Sequence, residues 1–194
     1  MSTPRFTRAT KFLHFGLALS VTLQLLVAQI MEPPKPTKVR DTLEILGYEL
    51  HEWIGMTAIL FTVLHWLYSL RTRDDARLTV LFPWSGAKFA AIKDEVRALA
   101  HGQFSAPDQS GKLASLVHGL GFLAVTAMAV SGAILFVAWP ETGAIPKDIK
   151  LVGEAHELMA NAIWAYWVGH VGLSILHQIQ GHSTLTDMMR LWRR

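Results

Sequence analysis

The sequence contains no cysteine among its 194 residues. This absence excludes disulfide bonds, iron–sulfur clusters, thiolate zinc sites and covalently attached c-type haem. Charged residues are also scarce, at 17% of the chain against 51% hydrophobic residues, which is typical of membrane proteins. The net charge of +3 is modest and the basic residues are scattered, so nucleic-acid binding has no support. Nine histidines remain, and any metal or cofactor is expected to depend on imidazole.

Four apolar segments are free of formal charge over the roughly 18–20 residues that a transmembrane helix needs. We therefore predict an all-α membrane protein, a four-transmembrane-helix bundle forming a single domain over residues 1–194. The first segment follows basic residues, as in a signal sequence, but its apolar run is too long and it carries His14, so a retained helix is predicted. The predicted spans are about 11–31, 47–70, 113–139 and 153–178.

Lysine and arginine are unequally divided between the two sides of these spans, thirteen against five. The positive-inside rule then predicts that both termini are cytoplasmic and that the two short loops face the periplasm. The cytoplasmic set is Arg5, Arg8, Lys11, Arg71, Arg73, Arg77, Lys88, Lys93, Arg97, Lys112, Arg190, Arg193 and Arg194, and the opposite set is Lys35, Lys38, Arg40, Lys147 and Lys150.

The cytoplasmic loop 71–112 is long and contains apolar residues at helical spacing. Phe89, Ile92, Val96 and Leu99 recur in this way with charged residues between them. The pattern predicts an amphipathic helix on the membrane surface or on the bundle. A solvated surface helix is the preferred interpretation, and partner docking is the alternative.

Two histidine pairs share one spacing: His51 and His65 are fourteen residues apart, and so are His156 and His170. Fourteen helical residues rise ~21 Å and complete nearly four turns, so each pair lies on roughly one helix face. The two imidazoles then lie near opposite sides of an apolar core ~30 Å thick. Ionisable residues at such depth are costly and indicate function. Imidazoles facing one another from two helices are suited to hold two stacked haems.

The predicted topology gives each histidine a depth. His51 and His156 lie near the periplasmic side, so a haem there has only these two candidate ligands. On the cytoplasmic side His170 is a candidate ligand whose partner is either His14 or His65, and spacing symmetry favours His65. The remaining histidines are His118 and His177, towards the cytoplasmic side, and His101 and His182, outside the spans.

Two imidazole ligands leave a haem iron without an open position, so such a site carries electrons and does not bind oxygen. Glycines stand near several of these histidines, and close helix packing is the preferred interpretation for them over contact with a flat macrocycle. They are Gly16, Gly55, Gly169 and Gly172.

Several of these residues form a recognisable pattern. Arg8-x5-His14 opens the first span, His51 opens the second, and His156-Glu157-x12-His170 lies on the fourth, with His177 seven residues further on. With the tail from Ser183 to Met189, the pattern resembles the bacterial di-haem cytochrome b561 family, which is related to the b-type cytochrome subunits of nickel–iron hydrogenases and formate dehydrogenases. The resemblance covers nearly the whole chain.

The resemblance implies two haem b groups, one on His14 and His170 at the cytoplasmic side and one on His51 and His156 at the periplasmic side. His65 departs from the family pattern, which often has an arginine there. It either contacts a haem edge or propionate or displaces His14 as ligand, and His14 is favoured.

Further site residues are expected from the same resemblance. Arg8 and Arg71, with Arg73, are candidates for contacts with haem propionates. His118 and His177 are candidates for a quinone site, and interfacial histidines bonded to water or headgroups are the alternative.

The expected function is electron transfer across the bacterial inner membrane, between the quinone pool and a periplasmic or membrane redox partner, in a chain embedded in lipid. One alternative is an enzyme, a superoxide:quinone oxidoreductase, in which the basic residues of the periplasmic loops would attract the anion. A non-redox, histidine-lined metal transporter is the other alternative.

Overall fold

The computed structural model describes residues 6–83, 86–101, 112–181 and 183–190. Arg5, His182, Arg193 and Arg194 lie outside these ranges. Within the described ranges the secondary structure is helical, and no β-strand is present apart from an isolated β-bridge between Lys35 and Lys38. The helices are α1 (Arg8–Val27), α2 (Thr42–Arg71), α3 (Leu78–Leu81), α4 (Gly86–Ala100), α5 (Lys112–Ala138), α6 (Lys147–Ile179) and α7 (Thr184–Met189).

Three of these helices are long and apolar enough to cross a membrane, namely α1, α2 and α5. The helix α6 is the longest, with 33 residues, but it is not among them. Its first turns carry Lys147, Asp148 and Lys150. Histidine, tryptophan and tyrosine residues lower the mean hydropathy of the rest of the helix. The fourth span therefore remains a prediction.

The start of α2 shows how local chemistry extends a helix beyond its apolar run. Asp41 Oδ1 accepts a hydrogen bond from the Glu44 backbone N–H at 2.8 Å, and Glu44 Oε2 accepts one from the Asp41 N–H at 3.0 Å. This reciprocal capping box satisfies two N–H groups at the start of the helix. The helix consequently begins at Thr42, five residues before the predicted span at 47.

Large apolar side chains remain exposed along the candidate spans. Leu60 is 55% exposed, Val130 57% and Phe136 50%. A soluble protein rarely exposes so much contiguous apolar surface, whereas a helix in lipid must do so. The exposed apolar side chains therefore support the conclusion from composition that these helices are suited to lipid.

The long loop contains a helix, α4, over the residues where the amphipathic helix was predicted. Ile92 is 7% exposed, whereas Phe89 and Val96 of the predicted apolar face are 51% and 46% exposed. The helix itself is confirmed, but only part of its apolar face is buried. Glu95 accepts a hydrogen bond from the Leu113 backbone N–H at 3.0 Å, so α4 provides a cap for the first turn of α5.

The described residues divide into two compact units. The first unit comprises Met1–Phe12, His65–Leu123 and Tyr166–Arg194, and the second comprises Leu13–Leu64 and Ala124–Ala165.

The first unit is held in part by polar contacts of its N-terminal segment. The hydroxyl groups of Thr7 and Tyr68 lie 2.9 Å apart. The Lys11 ammonium donates to the Arg190 carbonyl at 3.3 Å. Residues near both ends of the chain therefore pack within this unit.

The second unit is packed tightly at two glycines. A Cβ at Gly16 would collide with the Phe61 ring, and one at Gly55 would lie 2.7 Å from Gln24 Nε2. Packing, the preferred interpretation for these two glycines, is confirmed.

Candidate functional site

The His51 and His156 rings lie next to each other in the second unit, one on α2 and one on α6. Their ring centroids are 6.4 Å apart and their planes are nearly perpendicular, at 80°. Metal–imidazole bonds are about 2 Å long, so two imidazoles on opposite sides of one metal have centroids roughly 6 Å apart. The separation of these rings matches that arrangement.

His156 has one ring nitrogen engaged by α5. The Ser131 hydroxyl lies 2.8 Å from His156 Nδ1. At the neighbouring residue, a Cβ on Gly132 would lie 3.3 Å from His156 Cε1, so the absence of a side chain lets α5 approach the ring. Nε2 is left as the nitrogen available to a metal.

His51 is held differently, through its backbone. The Gln24 side-chain amide donates to the His51 carbonyl at 2.7 Å. His51 Nδ1 is buried and has no hydrogen-bond partner among the described residues. Burying such a group without a partner is unfavourable, which points to a ligand for this imidazole.

These observations fit the iron of a haem with two histidine ligands. The ring separation is suitable, His51 has an unpartnered buried nitrogen, and His156 has a free Nε2 with its other nitrogen hydrogen-bonded, as is usual for metal-bound histidine. The second unit therefore contains residues that can hold this cofactor.

The first unit contains a different histidine pair, His118 and His170. Their centroids are 5.0 Å apart at 84°, a direct edge-to-face contact. Tyr166 stacks on His170 at 5.4 Å and 10°, and Gly121 leaves space for the tyrosine ring. His118 Nδ1 lies 2.7 Å from the Ala114 carbonyl in its own helix. The His170 ring is thus packed between a histidine and a tyrosine.

His65 is also in the first unit and is only 9% exposed. Its Nδ1 lies 3.2 Å from the Ser69 hydroxyl, one turn further along α2. Its ring packs on Phe122 with centroids 4.6 Å apart. Both contacts fix the ring between α2 and α5.

The other predicted site residues are distributed as follows. His14 is half-buried on α1 within the second unit, and His177 is half-buried on α6 within the first. Arg8 and Arg71 are exposed, at the start of α1 and the end of α2. The assignment of His14 to the same haem as His170 remains a prediction.

Glycines near His170 differ from those in the second unit. Among the described residues, a Cβ at Gly169 or Gly172 would meet no atom within 4 Å, so the close contacts found at Gly16 and Gly55 are not observed there.

Sequence analysis missed Gln24 and Ser131, which contact the two histidines of the second unit, and Tyr166, which stacks on His170. The first two are polar residues within apolar spans, and such residues indicate a buried partner. Both Gln24 and Ser131 could therefore have been identified from the sequence as polar residues within apolar spans.

The basic residues of the non-helical segment 32–41 are largely paired with acids. Lys35 contacts Glu32, and Lys38 contacts both Glu32 and Glu44, the latter at 2.7 Å. The hydrogen bond from Lys35, supported by Lys38, lowers the pKa of Glu32 below its ordinary value. On α6, Lys150 lies 3.7 Å from Glu154. The positive charge of these segments is therefore offset locally.

Within the described ranges, no group of three or more histidine, aspartate or glutamate side chains is placed to hold a metal ion.

Apolar spanning helices and a perpendicular histidine pair at metal-binding separation define a helical membrane protein suited to b-type haem. The chain belongs to the prokaryotic cytochrome b561 family, whose model matches residues 5–190. It is therefore a multi-pass membrane cytochrome of the b type, which binds haem and transfers electrons. Comparisons with curated proteins and with solved structures gave no match.

Proposed function

We propose that the chain binds two haem b groups and transfers electrons across the membrane between the quinone pool and a redox partner. The observation that carries the proposal is the separation of His51 and His156, 6.4 Å between centroids. When bound, each haem supplies a one-electron carrier without an open coordination position. The role of the chain is to orient the ligands and to exclude water.

The proposed ligand pairs are His51 with His156 and His14 with His170. For the first pair, the unpartnered Nδ1 of His51 and the bond between Ser131 and His156 give support. For the second, the match to the family over both histidines gives support. The edge-to-face contact of His118 with His170 leaves no room for a metal between those two rings, which favours another partner for His170.

His65 is proposed as a neighbour of the cytoplasmic-side haem, in contact with its edge or a propionate. Its ring contact with Phe122, with centroids 4.6 Å apart, supports a packed, non-ligating ring. Arg8 and Arg71 are proposed to interact with propionates, because both are exposed cations near the ends of their helices.

A quinone site is proposed near His118 and His177 in the first unit. His118 is exposed as a residue on α5, although one part of its ring is covered by His170. Its Nδ1 bond to Ala114 leaves Nε2 for a hydrogen bond to a quinone oxygen. The partner protein would meet the opposite side of the membrane.

The proposed location is the bacterial inner membrane, with four spans and both termini in the cytoplasm. In support, α6 packs through His156 against α2 and α5, which are both candidate spans. No comparable observation favours the superoxide reaction, because the ion pairs of Lys35, Lys38 and Lys150 offset the charge that would attract the anion.

The test is haem stoichiometry in purified protein. A pyridine haemochrome assay with a reduced-minus-oxidised spectrum is expected to give two b haems per chain, and quinol is expected to reduce them. A value far from two, or colourless protein from haem-replete cells, would contradict the proposal.

A further inference from the structure

Ser131 lies at the centre of a small group of hydrogen bonds in the second unit. Its Oγ is 2.8 Å from His156 Nδ1, 2.9 Å from the Ala127 carbonyl and 3.2 Å from the Met128 carbonyl. The hydroxyl has one proton to donate and lone pairs to accept with.

Ser131 has one hydroxyl proton, so the direction of its bond to His156 follows from the tautomer of the imidazole. When the proton goes to one of the carbonyls, which can only accept, Ser131 Oγ accepts from a protonated Nδ1 of His156. In this arrangement Nε2 carries no proton and presents its lone pair. If the hydroxyl donated to Nδ1 instead, the proton of neutral His156 would lie on Nε2, where it would block a metal, and the carbonyls would lose their second donor.

The position of the ring is restricted as well as its protonation. Gly132 brings the α5 backbone close to Cε1 of His156, with only 3.3 Å left for a Cβ. Ser131 therefore contacts Nδ1, and the Gly132 backbone lies beside the adjacent Cε1 of the imidazole. His51, by contrast, has no hydrogen bond to Nδ1 among the described residues.

We propose that Ser131 is a positioning residue for His156, which fixes the tautomer and orientation of this ligand and thereby sets the reduction potential of the haem that it binds. The inference rests on the proposed function, since it requires a haem at His51 and His156. A hydrogen bond accepted from Nδ1–H makes the imidazole a stronger donor to iron and stabilises the oxidised state. Loss of the bond is therefore expected to raise the potential of one haem.

The experiment compares three substitutions at this site with one control. Ser131→Ala removes the acceptor, Ser131→Cys weakens it, and Ser131→Thr retains it. The control is Ser20→Ala, because Ser20 is 3% exposed and its hydroxyl also bonds the backbone of its own helix, at the Gly16 and Leu17 carbonyls.

The readouts are a potentiometric titration of each haem, low-spin electron paramagnetic resonance, and the rate of haem transfer to apomyoglobin. Ser131→Ala is expected to shift one midpoint potential upwards, to change one of two resonance signals, and to release one haem roughly tenfold faster. Cysteine should give a smaller shift, and threonine and the control should match the wild type. The cysteine variant retains the side-chain volume, so the test stands if the alanine variant does not fold.

Two outcomes would overturn the inference. One is an unchanged pair of potentials in both the alanine and cysteine variants, and the other is an equal shift in Ser20→Ala. If the wild type binds two haems and His156→Ala loses one, while the Ser131 variants match the wild type, only the inference on Ser131 fails. If His156→Ala keeps both haems, the proposed function fails first.

Discussion

Each of the two compact units contains a perpendicular pair of histidines, but the separations differ. His51 and His156 have centroids 6.4 Å apart, whereas those of His118 and His170 are 5.0 Å apart. The wider pair has room for a metal between its rings, and the closer pair is already in contact. Two pairs of similar appearance therefore have different expected roles, and ring separation is the quantity that distinguishes them.

The largest expected effect is the loss of a whole cofactor from the wider pair. His51→Ala and His156→Ala should each reduce haem content from two to one per chain, because each would remove a proposed ligand of the haem at this pair. His118→Ala should keep both haems. A pyridine haemochrome assay measures the content, and His101→Ala, on an exposed residue at the end of α4, is the control. Loss of a haem from His118→Ala would remove the distinction between the pairs.

The second prediction concerns the ligand opposite His170. His14→Ala should lose the cytoplasmic-side haem, whereas His65→Ala should keep both haems and change only their spectra or potentials. The reason is that the His65 ring is packed on Phe122, with centroids 4.6 Å apart. If His65→Ala loses a haem while His14→Ala keeps both, the assignment of His14 is wrong.

Sequence analysis was most successful where the signal was long. Charge-free apolar runs located α1, α2 and α5, and helical spacing located α4. It missed α3 and α7, which have four and six residues and are too short to show a period. The start of α2 differs from prediction because the Asp41–Glu44 capping box lies outside the apolar run.

The candidate site was predicted as a set of residues but without its internal contacts. Paired spacing drew attention to His65, yet spacing carries no information on ring contacts, and Ser69 and Phe122 were not foreseen as its neighbours. Gln24 and Ser131 were visible as polar residues in apolar spans. Their targets, a backbone carbonyl and a ring nitrogen, depend on how the helices pack.

The third prediction compares glycines of the two units. Gly16→Ala should destabilise the protein by about 1–3 kcal/mol, because its Cβ would collide with Phe61. Gly169→Ala should change stability by less than about 1 kcal/mol, since alanine favours helix and meets no atom there. Thermal unfolding in detergent measures both. Loss of haem from Gly169→Ala without loss of stability would indicate that a cofactor occupies the open space beside His170.

The smallest effect expected is a pH dependence of opposite sign in the two units. In the second unit, Lys35 and Lys38 hold the pKa of Glu32 below its ordinary 4.5. The contribution of Glu32 to the free energy of unfolding is therefore present above pH 4.5 and is lost as the pH falls through the lowered pKa. In the first unit, burial raises the pKa of Asp75 above its ordinary 3.8. The contribution of Asp75 to the free energy of unfolding is therefore present below pH 3.8 and is lost as the pH rises through the raised pKa.

Two variants that replace a carboxyl group with an amide test these opposite pH dependences. Glu32→Gln should lower stability at neutral pH by less than about 1 kcal/mol and flatten the acid side of the profile. Asp75→Asn should leave stability at neutral pH unchanged or increase it. The measurement is melting temperature between pH 3 and pH 8, and profiles of the same sign for both variants would contradict the expectation.

The hydrogen bond from the Lys11 ammonium to the Arg190 carbonyl bears on how many times the chain crosses the bilayer. Two points that touch on one side of a membrane are joined by a chain that crosses it an even number of times. The candidate spans α1, α2 and α5 would supply three crossings, which is odd. The proposed fourth span, α6, would make the number even, and with 33 residues it is the remaining described helix with the length for it. Reporters fused before residue 11 and after residue 190 should therefore be found in the same compartment.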